Sequence, residues 1–315
     1  MNKTENTQIK QNEEKAEERD LKELLRSRIK DIDSIPTIPA ILRPLLHYME
    51  QTVDQIEVQK IVELVSCDES ITAQCLHMAN SPLFGRTHEV DTVRGAVIAL
   101  GVRKLRDILL SCLLVRLAPK ERWAMDPVIF WQHSFGCALV SRQFARKINY
   151  HDPERAYLAG LLHDLGEVVN CIFLPEEFRA TVEKASTEQL PFFEAEQATL
   201  GLTHCDSGKM LAQHWGLAEE LTSVIFYHHD VEQAKLHPVL VAIVSLSDTL
   251  CRMRGLGYGF YEPKQTDFLD DPAWRILTRE YPHMAEFDLA RFTFELDEYT
   301  LQVRELVSSI FSKGS

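Results

Sequence analysis

Apolar residues recur at intervals of three and four along most of the chain, which is the spacing of one face of an α-helix. Two such stripes are Leu21, Leu24, Leu25, Ile29 and Ile71, Cys75, Leu76, Ala79. The run from Leu105 to Leu117 is almost entirely apolar, which predicts a helix that is buried on every side. No convincing stretch alternates apolar and polar residues as a half-buried strand would. The pattern therefore predicts an all-α fold.

Helix-capping sequences predict where three of the later helices begin. Asp126-Pro127 and Asp152-Pro153 each place a side-chain acceptor at the cap and a proline in the first turn. Pro238 opens the segment VLVAIVSLSDTLCRM in the same way. These three helices carry several of the polar residues discussed below.

The same patterns divide the chain into four segments. Residues 1–20 are polar and carry both signs of charge, so we expect a disordered tail or a loosely attached helix start. A break at APKERWAMDP separates an N-terminal helical lobe, residues 21–118, from a second helical lobe, residues 119–260. A glycine-bearing loop then leads to a C-terminal helical extension, residues 261–315.

Composition narrows the classes of function. A net charge of −13 opposes general binding to nucleic acid or to an anionic membrane surface. The chain starts with a polar segment rather than a signal peptide, and its apolar runs are shorter than the ~20 residues that span a bilayer. Seven cysteines without a CxxC pair are typical of free thiols in a reducing compartment. We therefore expect a cytoplasmic protein that binds neither nucleic acid nor membranes.

Ionisable side chains interrupt the apolar helical segments, where an unpartnered polar group is costly to bury. They are His133, His163, Asp164, His204, His228, His229 and Asp248. One histidine on an apolar face is usually a hydrogen-bonded core residue. The set is different, because imidazoles and carboxylates suit first-row transition metals and helical bundles build metal sites in their cores. We predict that these side chains share a metal site, with Asp164 able to bridge two ions and Gly166 allowing the backbone to leave the helix there.

In this order the residues resemble H…HD…H…HH…D, the ligand string of HD-domain proteins, and the HD-GYP branch most closely. This resemblance implies a centre of one or two divalent transition metal ions, with iron first and manganese, nickel or zinc as alternatives. It assigns one ion, called the first ion below, to His133, His163, Asp164 and Asp248. It assigns the other, the second ion, to Asp164, His204, His228 and His229.

Other motifs resemble the HDOD proteins, the HD-related output domains of bacterial signalling. They are IPTIPAIL, LVSCDESITAQCLHMANSPLFG and AVIALGVRKLRDILL in the N-terminal lobe, then AYLAGLLHDLGEVV and LGLTHCDSGKMLAQHWGL. The resemblance extends from about Ile35 to Met253. It implies a two-lobed all-α fold, with an HDOD lobe packed on an HD-like lobe, and a regulatory role exercised through signalling proteins.

Two departures from the catalytic HD-GYP pattern leave the activity open. The lysine of HDxGK that contacts a substrate phosphate is Glu167 here, which reverses the electrostatics. The GYP stretch is missing after His229. Three functions therefore stay open: a signalling module, a phosphohydrolase of nucleotides or cyclic dinucleotides with Asp164 as its catalytic residue, and an iron-based redox or gas sensor.

Three further residues near the string have alternative interpretations. Asp206 is a candidate for orienting a histidine. Cys205 is expected to be a packed thiol, with contact to a metal as the alternative. Lys209 is the nearest cation in sequence, and we expect it to be solvated on a helix surface.

Overall fold

The computed structural model describes residues 21, 23–29, 59, 62, 63, 65, 68–84, 89–116, 123–258 and 268–312. Within these residues the secondary structure consists of helices and turns, with no β-strand. The all-α prediction is therefore confirmed. The predicted disordered tail, residues 1–20, and the segment boundaries at 118/119 and 260/261 lie outside the described residues, so the division into segments stays a prediction.

Thirteen α-helices with defined ends occur in these described ranges. They are α1 Glu69–Ala79, α2 Val93–Leu100, α3 Val102–Val115, α4 Pro127–Lys147, α5 Pro153–Leu162, α6 Leu165–Phe173, α7 Pro175–Glu188, α8 Phe192–Leu200, α9 His204–Trp215, α10 Glu219–Tyr227, α11 Pro238–Met253, α12 Pro272–Glu280 and α13 Leu289–Ser312. Short 3₁₀ helices span Pro82–Phe84, Val231–Gln233 and Pro282–Glu286. Over this same part of the chain, no helix has both the length and the apolar character needed to cross a membrane.

The helix starts follow the capping sequences. Asp126 accepts a hydrogen bond from the backbone N–H of Val128 at 2.9 Å and begins α4. Asp152 accepts from the N–H of Arg155 at 3.1 Å and begins α5. Such a side chain satisfies an N–H group that has no partner within the helix. Pro238 is the first residue of α11, as predicted.

Helix α4 lies at the centre of the larger part of the fold, where it packs against α5, α11 and α13. Its apolar side chains are buried together with those of α3, which is covered along its length from Leu105 to Val115. Helix α3 packs on α1 and α2 and also contacts α5, so one apolar core runs through the helices on both sides of the predicted lobe boundary.

Helices α6 and α9 cross at two glycines. A Cβ atom on Gly166 would lie 1.8 Å from the carbonyl oxygen of His204, and one on Gly208 would lie 2.6 Å from Ile225 Cγ2. Neither glycine has a positive φ. The expected reason for Gly166 was therefore wrong: the residue lies inside α6, and glycine is needed because the backbone of α9 comes so close.

Candidate metal centre

All seven ionisable residues singled out by the sequence come together in the structure, although they lie on different elements. His133 lies in the second turn of α4, and His163-Asp164 form the turn between α5 and α6. His204 begins α9, His228-His229 follow α10 directly, and Asp248 lies in α11. Six of these side chains are buried, whereas His229 is exposed. We call this set the His–Asp cluster.

The ligand atoms of the His–Asp cluster form two groups. Within each group the nitrogen or oxygen atoms lie within 4.8 Å of one another. One group consists of His133, His163 and Asp248, and the other of Asp164, His204, His228 and His229. The ligand string implies the same two sets, except that it assigns Asp164 to both of them.

Asp164 lies between the two groups, with one carboxylate oxygen toward each. Its Oδ2 is 3.4 Å from His133 Nε2 and 3.1 Å from His163 Nε2. Its Oδ1 is 3.5 Å from His204 Nε2 and 3.4 Å from His228 Nε2. The backbone leaves helical geometry at Asp164 (φ −95°, ψ 16°), which aims its side chain and that of His163 at one point. The position is that of a bridging carboxylate.

The backbone sets the tautomer of three of the histidines. Nδ1 of His133 lies 2.5 Å from the carbonyl oxygen of Leu256, and Nδ1 of His163 lies 2.8 Å from that of Gly160. Nδ1 of His228 lies 3.1 Å from the carbonyl oxygen of Ile225. Because a carbonyl can only accept a hydrogen bond, Nδ1 carries the hydrogen and Nε2 of a neutral ring keeps a lone pair.

The Nε2 atoms of these rings face one another, an arrangement that a shared proton or a bound metal ion stabilises. The Nε2 atoms of His133 and His163 are 3.3 Å apart, and so are those of His204 and His228. Buried Asp248 Oδ1 lies 3.1 Å from His133 Nε2 yet accepts no hydrogen bond in the described structure. Burial disfavours an imidazolium, but Asp164 and Asp248 raise the pKa of His133 to about 10. The donor set therefore fits divalent metal ions, for which protons are the competitors.

A second layer of polar side chains holds His204 in place. Buried Glu196 accepts from His204 Nδ1 at 2.5 Å and from its backbone N–H at 2.9 Å. Asn170 donates to Glu196 at 3.1 Å and accepts from the hydroxyl of Ser207 at 2.5 Å. Carboxylates of this kind fix the tautomer and the direction of a ligating histidine.

The expectation that Asp206 orients a histidine was wrong. Asp206 accepts from the backbone N–H of Thr203 at 3.1 Å and closes a capping box at the start of α9. Glu196, in the preceding helix, has the orienting role instead. Nothing in the local sequence distinguishes Glu196 from exposed Glu194. Its contact with His204 exists because the short turn after α8 brings the first residue of α9 next to it.

Two more residues at the cluster were not found by sequence reasoning. The hydroxyl of Tyr258 donates to Asp164 Oδ2 at 2.8 Å, and its ring centre lies 5.1 Å from that of His133. Arg252, one turn after Asp248 on α11, pairs with Asp248 Oδ2 and is partly exposed. The spacing of Asp248 and Arg252 was a usable clue, because residues four apart share a helix face.

Cys205 is buried as expected, whereas Lys209 is half-buried rather than solvated. The Sγ of Cys205 lies 3.9 Å from Nδ1 of His228, the nitrogen that faces away from the cluster. Lys209 places its ammonium 3.6 Å from the centre of the Phe226 ring, where it makes a cation–π contact. Glu167 is fully buried, and burial together with the charge of Asp164 raises its pKa well above the usual value.

The chain is similar to HDOD proteins in both sequence and structure. The model of the HDOD domain family matches residues 35–231, which is more than half of the chain. An HDOD domain protein of unknown function from Geobacter sulfurreducens has a crystal structure with a TM-score of 0.78 and 29% sequence identity, and the match covers 92% of this chain and 97% of that one.

More distant relatives share the fold or part of the length. A Marinobacter aquaeolei VT8 protein, provisionally named a signal transduction protein, matches at a TM-score of 0.70 and 21% identity, over 94% of this chain and 65% of that one. An uncharacterized protein from Treponema pallidum (strain Nichols) is 25% identical over 226 residues. That match covers 70% of this chain and 43% of the relative, so the chain spans less than half of that protein's length.

Proposed function

The chain belongs to the HDOD family, and we propose that it is a regulatory output module of bacterial-type signal transduction whose core holds two divalent metal ions. Four imidazole Nε2 atoms and two carboxylates, arranged in two groups that meet at Asp164, are the observation that carries the proposal. Iron is the first candidate, and manganese, nickel and zinc share its preference for nitrogen and oxygen ligands. Signalling proteins are the proposed partners.

The regulatory role, rather than turnover, is supported by the groups around the cluster. At the start of α6, where a catalytic relative would present a lysine to phosphate, the chain buries Glu167. One oxygen of Glu167 has no hydrogen-bond partner in the described structure, and its raised pKa favours the neutral acid. Tyr258 also covers Asp164 from the first-ion side. With Glu167 buried and the Tyr258 hydroxyl on Asp164, these two positions offer no cation to bind a phosphate.

Elemental analysis of the purified protein tests the metal centre. The wild type is expected to contain close to two equivalents of transition metal. Asp164→Ala is expected to lose most of both, because its carboxylate faces both groups. Asp230→Ala, one residue after His229 but exposed and outside the cluster, is the matched control and should keep its metal. Well-folded wild-type protein that binds no added iron, manganese, nickel or zinc would refute the proposal.

A metal-dependent phosphohydrolase is the second candidate, and Arg252 favours it. This guanidinium lies beside Asp248 at the edge of the cluster, where it could meet a phosphate in place of the absent lysine. Bound divalent ions would supply Lewis acidity toward a phosphate ester. Exposed His229, stacked 5.6 Å from Phe193, marks the side of the cluster nearest to solvent.

A panel of nucleotide, cyclic dinucleotide and simple phosphate esters decides between the two candidates. Metal-loaded enzyme that hydrolyses one of them, and loses the activity in both His163→Ala and Arg252→Ala, would establish the hydrolase. Arg254→Ala is the control, because this neighbouring arginine pairs with Asp297 on α13 instead. Stoichiometric metal without hydrolysis of any ester supports the regulatory module.

A further inference from the structure

A second candidate binding site lies where four elements of the fold meet. A cleft of about 760 Å³ is bounded by the 3₁₀ helix Pro82–Phe84 and by helices α3, α4 and α13, and no residue of the His–Asp cluster lines it. This volume falls within the roughly 300–1,000 Å³ that is usual for small-molecule sites. The cleft therefore has the size for a ligand of its own.

One wall of the cleft is cationic. Lys104 comes from α3, and Arg142 and Arg146 come from successive turns of α4. Arg142 and Arg146 share one carboxylate, that of Glu154, at 3.4 Å and 2.8 Å, so one of their two positive charges and that of Lys104 are not balanced by it. The positive charge left over on this wall favours an anionic ligand such as a phosphate.

The opposite wall, from α13, combines aromatic rings with carboxylates. Phe294 is 76% exposed although it is a large apolar residue. Glu295 pairs with Lys147 at 2.9 Å and Asp297 with Arg254 at 3.1 Å, so their charges are already balanced. Glu298 accepts from the amide of Gln302 at 3.2 Å and has no ion pair among the described residues. An exposed ring beside such a carboxylate suits a flat ligand that carries N–H donors.

We propose that this cleft binds a purine nucleotide. The phosphate lies against Lys104, Arg142 and Arg146, while the base stacks on Phe294 with its N–H donors toward Glu298. A nucleotide has an anionic end and a donor-bearing aromatic end, which matches the unlike charges of the two walls. The site stands apart from the metal centre and does not rest on the proposed function.

Two helices connect this cleft with the His–Asp cluster. Helix α4 carries both His133 and Arg142, about 14 Å apart along the axis at 1.5 Å per residue. Helix α5 carries both Glu154, the partner of Arg142, and the Gly160 carbonyl that orients His163. A nucleotide in the cleft therefore contacts an element that holds ligands of the first ion.

Isothermal titration of the 315-residue chain with GMP tests the proposal. The wild type is expected to bind one equivalent. Lys104→Ala and Arg146→Ala are each expected to weaken binding about tenfold, the usual loss for a charged contact to phosphate. Arg103→Ala is the matched control, because its side chain is exposed on the same helix and does not line the cleft. Phe294→Ala should weaken binding severalfold, whereas Leu301→Ala, exposed on the same helix outside the cleft, should not.

Further titrations distinguish GMP binding in this cleft from binding at the metal centre and from binding of phosphate alone. Loss of GMP binding in Asp164→Ala together with unchanged binding in Lys104→Ala and Arg146→Ala would place the ligand at the metal centre and overturn the proposal. Inorganic phosphate is expected to bind more weakly than GMP, and equal affinity would overturn recognition of the base. Absence of binding at millimolar GMP, or equal binding by the wild type and both cation variants, would refute the site.

Discussion

The Nε2 atoms of His133 and His163 lie 3.3 Å apart, although both rings already use Nδ1 to donate to a backbone carbonyl. With Nδ1 used in this way, the two Nε2 atoms can lie so close only if a proton or another cation sits between them. The fold maintains that geometry through α4 and the end of α5, which are packed tightly together. This relationship is understandable if the rings are arranged for a cation, and the predictions below concern the groups that hold them there.

Glu196 is expected to control the second ion without binding it. Replacement by glutamine removes the negative charge opposite His204 Nδ1 and should weaken the affinity for the second ion by about tenfold to a hundredfold. The first ion should be retained, because His133, His163 and Asp248 do not contact Glu196. Titration of metal-free protein with Mn²⁺ or Zn²⁺ would measure the two affinities separately.

Glu194→Gln is the control for this change, because Glu194 lies exposed on the same helix. Equal loss of both ions in Glu196→Gln, or no loss of either, would contradict the assigned role.

Removing the hydroxyl of Tyr258 should affect the metal centre more than the fold. Tyr258→Phe removes a hydrogen bond to Asp164 Oδ2 and should cost about 1 kcal/mol of stability, together with about tenfold in affinity for the first ion. Tyr157→Phe is the matched change, since that buried hydroxyl contacts Ser111 at 3.3 Å, outside the cluster. Chemical denaturation and metal titration of both variants should show similar stabilities but different affinities. Identical metal binding in the two variants would leave Tyr258 as a packing residue only.

Alanine at Gly166 should displace helix α9. The added Cβ would lie 1.8 Å from the His204 carbonyl, and overpacking of this kind typically costs about 1–3 kcal/mol. The movement should also take His204 away from Asp164, so the affinity for the second ion should fall. Thermal unfolding and metal content would test this. A variant that is as stable and as metal-rich as the wild type would show that the two helices are farther apart.

Asp107, which lies outside the cluster, is expected to make the stability of the fold depend on pH. The residue is fully buried, and burial raises its pKa to about 7, against the opposing charge of Arg106. The native state then binds this proton more tightly than the unfolded chain does. Protonation of Asp107 therefore stabilises the native state fully below pH 4, and this stabilisation is lost as the pH rises through about 7. Asp107→Asn should remove that part of the slope.

Urea denaturation over the interval from pH 4 to pH 7 would measure the difference in slope. Asp270→Asn, a change at an exposed position, should leave the wild-type slope intact. Parallel curves for the wild type and Asp107→Asn would contradict a raised pKa at Asp107.

The helices and the members of the His–Asp cluster were predictable from the sequence alone. The starts of α4, α5 and α11 depend on residues within one turn of each other, so capping aspartates and prolines reveal them locally. The seven ionisable residues were identifiable because charged groups placed in apolar helices need partners. The ligand string grouped them as the structure does, with Asp164 between the two groups.

Only the tertiary structure decided which groups serve that cluster. Glu196 rather than Asp206 faces His204, Tyr258 reaches Asp164 from a distant loop, and Gly166 is required by the backbone of another helix. The Tyr258 and Gly166 contacts join elements that are distant along the chain, and the Glu196 contact depends on the turn between α8 and α9. Their geometry depends on how helices are rotated and how closely they cross, which local periodicity and capping do not specify. The sequence by itself therefore determined the helical class and the candidate ligands, while packing between helices decided how those ligands are oriented.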